Sequence, residues 1–176
     1  MRFRETEIKD VFMVEIERSE DERGFFARSW CQMEFGENKL ENNLAQGNIA
    51  FNHLRGTLRG MHFQKTPFEE VKLVRCTMGA LFDVAIDLRP DSPTHKKWIG
   101  VELSASNRRM LYVPKGFAHG YQTLQDNTEI FYHTSQFYHP ESAWGVRHND
   151  QAFGIQWPLE VSAISKNDVN WPDYVV

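Results

Sequence analysis

The chain has 176 residues, 41% of them hydrophobic and 25% charged, and its 20 basic and 24 acidic residues leave a net charge of −4. That length suits one domain over residues 1–176 with a sizeable core, and the composition excludes a disordered chain. The acidic balance supplies no global basic field, so neither nucleic acid nor an acidic membrane surface is an expected partner.

The N-terminal stretch MRFRETEIKD is charged throughout and lacks the apolar core of a secretory signal. No apolar run approaches the ~20 residues that span a bilayer; the best, 80–86, is interrupted by Asp83. Cys31 and Cys76 form no CxxC pair, which excludes a thiolate zinc site and a disulfide framework. A cytoplasmic protein with reduced thiols is the expectation.

In chain order, segments rich in Val, Ile, Phe and Tyr fall at 11–16, 71–76, 81–87, 98–103, 110–113 and 128–134, with turn signals between them. Several alternate. Phe82, Val84 and Ile86 share one face and Asp83 and Asp87 the other, while Ile99, Val101 and Leu103 oppose Trp98 and Glu102. Period-two patterning over such lengths predicts half-buried strands. One short helix is expected within 32–44, with Met33, Phe35 and Leu40 on its apolar side. Many short strands and few helices predict an all-β sandwich, jelly roll or barrel. Alternation also puts Lys72 on the face of Val74 and Cys76, and Tyr132 on that of Ile130. Polar groups on such interior faces need partners or work to do.

Three stretches concentrate reactive residue types. Within RGTLRGMHFQ, residues 55–64, arginines could fork onto phosphate oxygens and His62 could act as a base near neutral pH. A hydrogen-bonded strand histidine among solvated arginines is the alternative. PKGFAHG at 114–120 has the Pro-x-Gly-x-x-His spacing of the second motif of cupin jelly rolls. The first cupin motif would need two histidines one residue apart, and HFQ offers only His62, so no metal site is expected. The other histidines, 53, 95, 133, 139 and 148, read as surface or packing residues. SKNDVNWP at 165–172 holds Asp168, which on pattern alone is a solvated turn aspartate. Asp21–Arg23 reads either as a charged turn or as an arginine reaching phosphate beside a ring-stacking phenylalanine.

Taken in order, these motifs resemble the dTDP-4-dehydrorhamnose 3,5-epimerase family nearly end to end. They are DERGFF at 21–26, Gln46 and Asn48, GTLRGMHFQ at 56–64, KLVRC at 72–76, FDVAIDLR at 82–89, SPT at 92–94 and LSASN at 103–107. PKGFAHGYQTL at 114–124, Tyr132, the ND pair at 149–150, GIQWP at 154–158 and Asp168 complete the set. The resemblance implies a double-stranded β-helix, the cupin-type jelly roll, with a few short helices, no cofactor or metal, and a homodimer sharing residues across its interface. It implies a nucleotide-linked 4-keto-6-deoxyhexose as substrate, inverted at C3 and C5.

The resemblance also implies roles. His62 is the base, held by Asp168. Tyr132 is the acid on the opposite face, and Lys72 lies near the C4 oxygen. Arg23, Phe26, Arg28, Gln46, Asn48, Arg59, His119 and Tyr138 contact substrate, with Arg23 and Phe26 reaching the partner's nucleotide. Arg28, Ala143 and Asn167 depart from the family pattern, at positions that bear on nucleotide choice. Other readings are an epimerase of one carbon only, a non-catalytic sugar-nucleotide binder, and a metal-dependent cupin. The sequence has no GxGxxG dinucleotide fingerprint, in keeping with chemistry that involves no redox step.

Overall fold

The computed structural model describes residues 1–175. In chain order the strands are β1 (Arg2–Glu5), β2 (Phe12–Glu15), β3 (Arg18–Asp21), β4 (Gly24–Ala27), β5 (Gln46–Asn52), β6 (Thr57–Gln64) and β7 (Lys72–Met78). They continue with β8 (Ala80–Asp87), β9 (Trp98–Ser104), β10 (Met110–Val113), β11 (Phe117–Thr123), β12 (Thr128–Thr134), β13 (Ala143–Gly145) and β14 (Ala163–Ile164). Two short helices interrupt them, α1 (Gln32–Glu37) and α2 (Lys166–Val169).

One sheet runs β1-β2-β10-β7-β12-β5. The other runs β13-β6-β11-β8-β9, with β14 added parallel to β6. The β3–β4 hairpin belongs to neither. The inner faces meet in a core of Val74, Cys76, Leu111 and Ile130 from the first sheet against Leu81, Ala85, Leu103 and Phe117 from the second. This is the double-stranded β-helix that the family resemblance implies. Burial of these alternating faces is the main force holding the two sheets together.

Two local expectations need correction. Strand β8 is buried on both faces, not one. Val84 and Ile86 pack outward against Val146, Phe153 and Ile155 of the C-terminal segment, which covers this side of the sheet. Asp83 therefore faces the interior and not solvent, and it is fully buried. The helix within 32–44 spans only six residues. Gly36 favours it weakly, and Lys39 turns back with φ 59°, so the chain leaves the helix early. Phe35 packs under the first sheet's outer face as expected, but Met33 is exposed.

One buried anion fastens the end of β8. The Asp87 carboxylate accepts hydrogen bonds from Arg89 Nε at 2.9 Å and Nη2 at 2.8 Å, from Ser92 Oγ at 2.5 Å and from Thr94 Oγ1 at 2.7 Å. Arg89 also reaches Asp10, tying the 89–94 loop to the N-terminal region. Burial pushes the Asp87 carboxyl up, but these donors overcome it and hold the group at about 2.

Candidate active site

The site begins with an irregularity in β6. His119 of β11 pairs with His62 while Tyr121 pairs with Arg59, so two steps along β11 correspond to three along β6. One extra residue is a bulge, and a bulge re-aims the side chains that flank it. Ordinary alternation would put Arg59 and His62 on opposite faces. The extra residue puts both toward one cavity and turns Met61 into the core behind.

Two glycines permit this. Gly60 has φ 120°, and a Cβ there would lie 2.6 Å from Gly120 Cα. A Cβ on Gly120 would lie 2.6 Å from Met61 Sδ and 2.7 Å from Arg59 O. Only glycine fits either position.

Helix α2 brings Asp168 to His62. Ser165 caps the helix, its Oγ accepting from Asp168 N at 3.0 Å. The side chain then lies under β6, with Oδ1 2.6 Å from His62 Nε2 and Oδ2 accepting from Gly60 N at 3.3 Å. Trp171 Nε1 also donates to Oδ1, at 3.3 Å. Burial raises the Asp168 carboxyl, and the hydrogen bonds from His62 and Gly60 bring it net below its ordinary value. The His62 side chain is 44% exposed and that of Asp168 only 5%. With Nε2 on the carboxylate, Nδ1 is the ring atom that can offer a lone pair to a ligand.

The first sheet forms the opposite wall. Across it, Lys72 pairs with Thr134 and Thr134 with Gln46; one step on, Val74 pairs with Tyr132 and Tyr132 with Asn48. Lys72, Thr134, Gln46, Tyr132 and Asn48 all line the same cavity. Burial raises the Tyr132 phenol above its ordinary pKa, and the nearby Glu70 charge adds to that against the opposing pull of Arg59. The Lys72 ammonium lies 3.1 Å from Glu70 Oε1.

The cavity between the walls has a volume of about 930 Å³. His62, Asp168, Tyr132, Lys72, Gln46, Asn48, Arg59 and Tyr138, all singled out from the sequence, line it. Arg59 is held at its mouth by Nε donating to Asn52 Oδ1 at 2.8 Å. The other four are not brought in. His119 is buried on the interior face of β11 that also carries Phe117 and Tyr121, its Nε2 2.9 Å from Asp83 Oδ1, and does not line the cavity. Arg23 and Phe26 stand on the β3–β4 hairpin region, the first bonded to Asp21 and the second 77% exposed. Arg28 pairs with Glu34 at 2.8 Å, beside a smaller cavity of about 300 Å³.

A dyad on one wall facing a phenol and an ammonium on the other can move protons on opposite sides of one bound molecule. Among the described residues no group of three or more His, Cys, Asp or Glu side chains comes together to hold a metal ion, and no helix is long and apolar enough to cross a membrane. Compared with known proteins, the sequence matches the family dTDP-4-dehydrorhamnose 3,5-epimerase over residues 5–175. The chain belongs to that family. It is 45% identical over 159 residues to the dTDP-4-dehydrorhamnose 3,5-epimerase of Escherichia coli strain K12, covering 87% of this chain and 83% of that relative. Its structure matches the crystal structure of the Elizabethkingia anophelis NUHP1 epimerase with a TM-score of 0.95 at 38% identity, covering 99% and 96% of the two chains. The Bacillus anthracis str. Ames epimerase, solved with TDP and PPi bound, also matches at a TM-score of 0.95 and 38% identity, covering 98% and 99%.

This family member, an isomerase, also has cavity residues that the sequence did not disclose. Trp171 packs edge-on to His62 with ring centroids 6.4 Å apart and stands 5.6 Å from Trp144. Gly145 makes room for it, since a Cβ there would come within 2.5 Å of the Trp171 indole. Gln64 joins the loops at the rim, donating to Phe68 O and Phe137 O and accepting from His139 N. Gln64 lay inside a motif already noted. Trp171 falls within the 165–172 stretch beside Asp168, whereas nothing in the spacing of Glu70 marks it.

Proposed function

We propose that this chain inverts C3 and C5 of dTDP-4-dehydro-6-deoxyglucose to give dTDP-4-dehydrorhamnose. The observation that carries the reading is the His62–Asp168 dyad on one wall of the cavity and Tyr132 with Lys72 on the other. The C–H bonds at C3 and C5 of such a sugar are acidic because each is alpha to the C4 ketone. His62 Nδ1 takes the proton, and the Asp168 carboxylate stabilises the imidazolium that results. The electron pair moves into the C4 carbonyl, and the Lys72 ammonium stabilises the enolate oxygen. Tyr132 returns a proton from the other side, which inverts the carbon. A proton then leaves His62 and one returns to the tyrosinate before the second carbon reacts. No oxidant or reductant takes part.

The cavity can hold a nucleotide sugar, and Arg59 at its mouth is suited to diphosphate. The TDP-bound relative supports the same ligand class. The working form is a homodimer. The exposed Arg23 and Phe26 serve a neighbouring copy's nucleotide, and the exposed Ile49 and Phe51 on the first sheet's outer face supply apolar contact area. The reaction takes place in the cytoplasm.

The test is proton NMR of dTDP-4-dehydro-6-deoxyglucose incubated with the purified protein. Appearance of the rhamno product supports the reading. Inversion at C3 alone would make this a single-site epimerase, and unchanged substrate would remove the activity.

A further inference from the structure

Glu70 precedes β7 on the loop that carries the chain from the dyad's sheet to the Tyr132 sheet. Its carboxylate bridges the two. Oε1 lies 3.1 Å from Lys72 Nζ, and Oε2 lies 3.5 Å from Gln64 Nε2. The Glu70 and Lys72 side chains are only 12% and 11% exposed. Val71 is fixed to the end of the β12 segment by two bonds, its N donating to Ser135 Oγ at 2.9 Å and its O accepting from Ser135 N at 3.0 Å. Glu70 thus has little freedom, and it lines the cavity with Lys72 and Tyr132.

We propose that Glu70 is a positioning residue of the epimerisation, clamping the Lys72 ammonium against the wall and setting a negative charge in the cavity that Tyr132 also lines. The inference rests on the reaction proposed above. A lysine stem is long and flexible, so an ammonium meant to meet an enolate oxygen gains from being held in place. A carboxylate beside a phenol makes the phenolate less favourable, as the raised Tyr132 pKa reflects, after burial itself.

The other charged or titratable groups around Tyr132 are accounted for. Lys72 comes from β7, Arg59 and His62 from β6, Asp168 from α2, Tyr121 from β11 and Tyr138 from the segment after β12. Arg59 favours the phenolate, so Glu70 is the anion that counters it.

The test is Glu70→Gln, which keeps the shape and one acceptor oxygen but removes the charge. With wild type turning over dTDP-4-dehydro-6-deoxyglucose, the variant should lose up to about 100-fold in kcat, the scale expected when an oriented group is misplaced, with KM little changed. The alkaline limb of its pH–rate profile should move to lower pH, because the phenol loses its proton more readily without the neighbouring anion. Glu70→Asp, which keeps the charge, should retain the wild-type limb. An unmoved limb in Glu70→Gln overturns the proposal, even if kcat and thermal stability fall, because a purely structural pair would do that.

A second readout needs no substrate. Tyrosinate absorbance is titrated in wild type and Glu70→Gln, each corrected by its Tyr132→Phe counterpart. An earlier titration of Tyr132 in Glu70→Gln supports the proposal, and superposed curves overturn it. If wild type fails to turn over the sugar, the proposed reaction fails, and this titration still decides whether Glu70 governs Tyr132.

Discussion

Gly60 of β6 and Gly120 of β11 lie back to back, so close that a Cβ on the first would come within 2.6 Å of Cα on the second. This contact sits at the bulge that turns Arg59 and His62 toward the same cavity. Gly60→Ala must part the two strands and also strain a residue at φ 120°. Overpacking alone costs about 1–3 kcal/mol. At roughly 2–4 °C per kcal/mol for a chain of this size, the melting temperature should fall clearly. Activity should fall further than stability because the His62–Asp168 contact is displaced. A variant that melts and turns over like wild type would show that the strands part at no cost.

Asp168→Asn should retain the fold, since the Ser165 cap uses the backbone N of residue 168. An amide cannot stabilise an imidazolium. Its Nδ2 can also donate to His62 Nε2, which moves the ring proton to Nδ1 and removes the lone pair needed for abstraction. We expect a loss in kcat of about 10²–10⁴-fold, the range for a general acid–base group, with little change in dTDP affinity by calorimetry. Near wild-type kcat would mean the dyad is structural only.

Tyr132→Phe should separate the two halves of the reaction. Proton removal by His62 survives, so solvent deuterium enters with retention at the carbon, while inversion falls sharply. The stereochemistry and deuterium content of recovered sugar read this directly. Inversion at an undiminished rate would assign the opposite-face proton to another group.

Asp87 predicts a pH dependence of stability. Its folded pKa of about 2 is depressed from the ordinary 3.8. The stabilisation is therefore complete above the unfolded value and is lost as pH falls from about 4 through about 2. A shift of this size corresponds to about 2 kcal/mol. Asp87→Asn should melt lower than wild type at neutral pH, and the gap should narrow in acid. A gap that stays constant down to pH 2 would assign the loss to packing.

The strands legible in the sequence were those whose pattern is regular. The expected segments at 110–113 and 128–134 coincide with β10 and β12, and those at 71–76, 81–87 and 98–103 differ from β7, β8 and β9 by a residue or two at their ends. Strands β6 and β11 read as motifs and not as strands, because the bulge and their glycines break the alternation. Alternation could not say that the outer face of β8 is covered, since the covering residues, Val146 to Ile155, arrive from the far end of the chain. The Lys72 and Tyr132 wall was legible because both sit on regular strands with apolar neighbours. Asp168 was not legible from pattern, since its partner His62 is 106 positions away, and only the family resemblance joined them. Glu70 precedes a strand in a loop with no periodicity, so only its 3.1 Å contact with Lys72 reveals it.

The central claim is that His62 takes protons from both carbons beside the ketone. The measurement that tests it most directly is deuterium incorporation from deuterated water into dTDP-4-dehydro-6-deoxyglucose, followed by mass spectrometry and NMR, with wild type and His62→Asn side by side. The account predicts deuterium at C3 and C5 with wild type and at neither carbon with the variant, while both proteins still bind dTDP. Substantial exchange at either carbon by His62→Asn would contradict it.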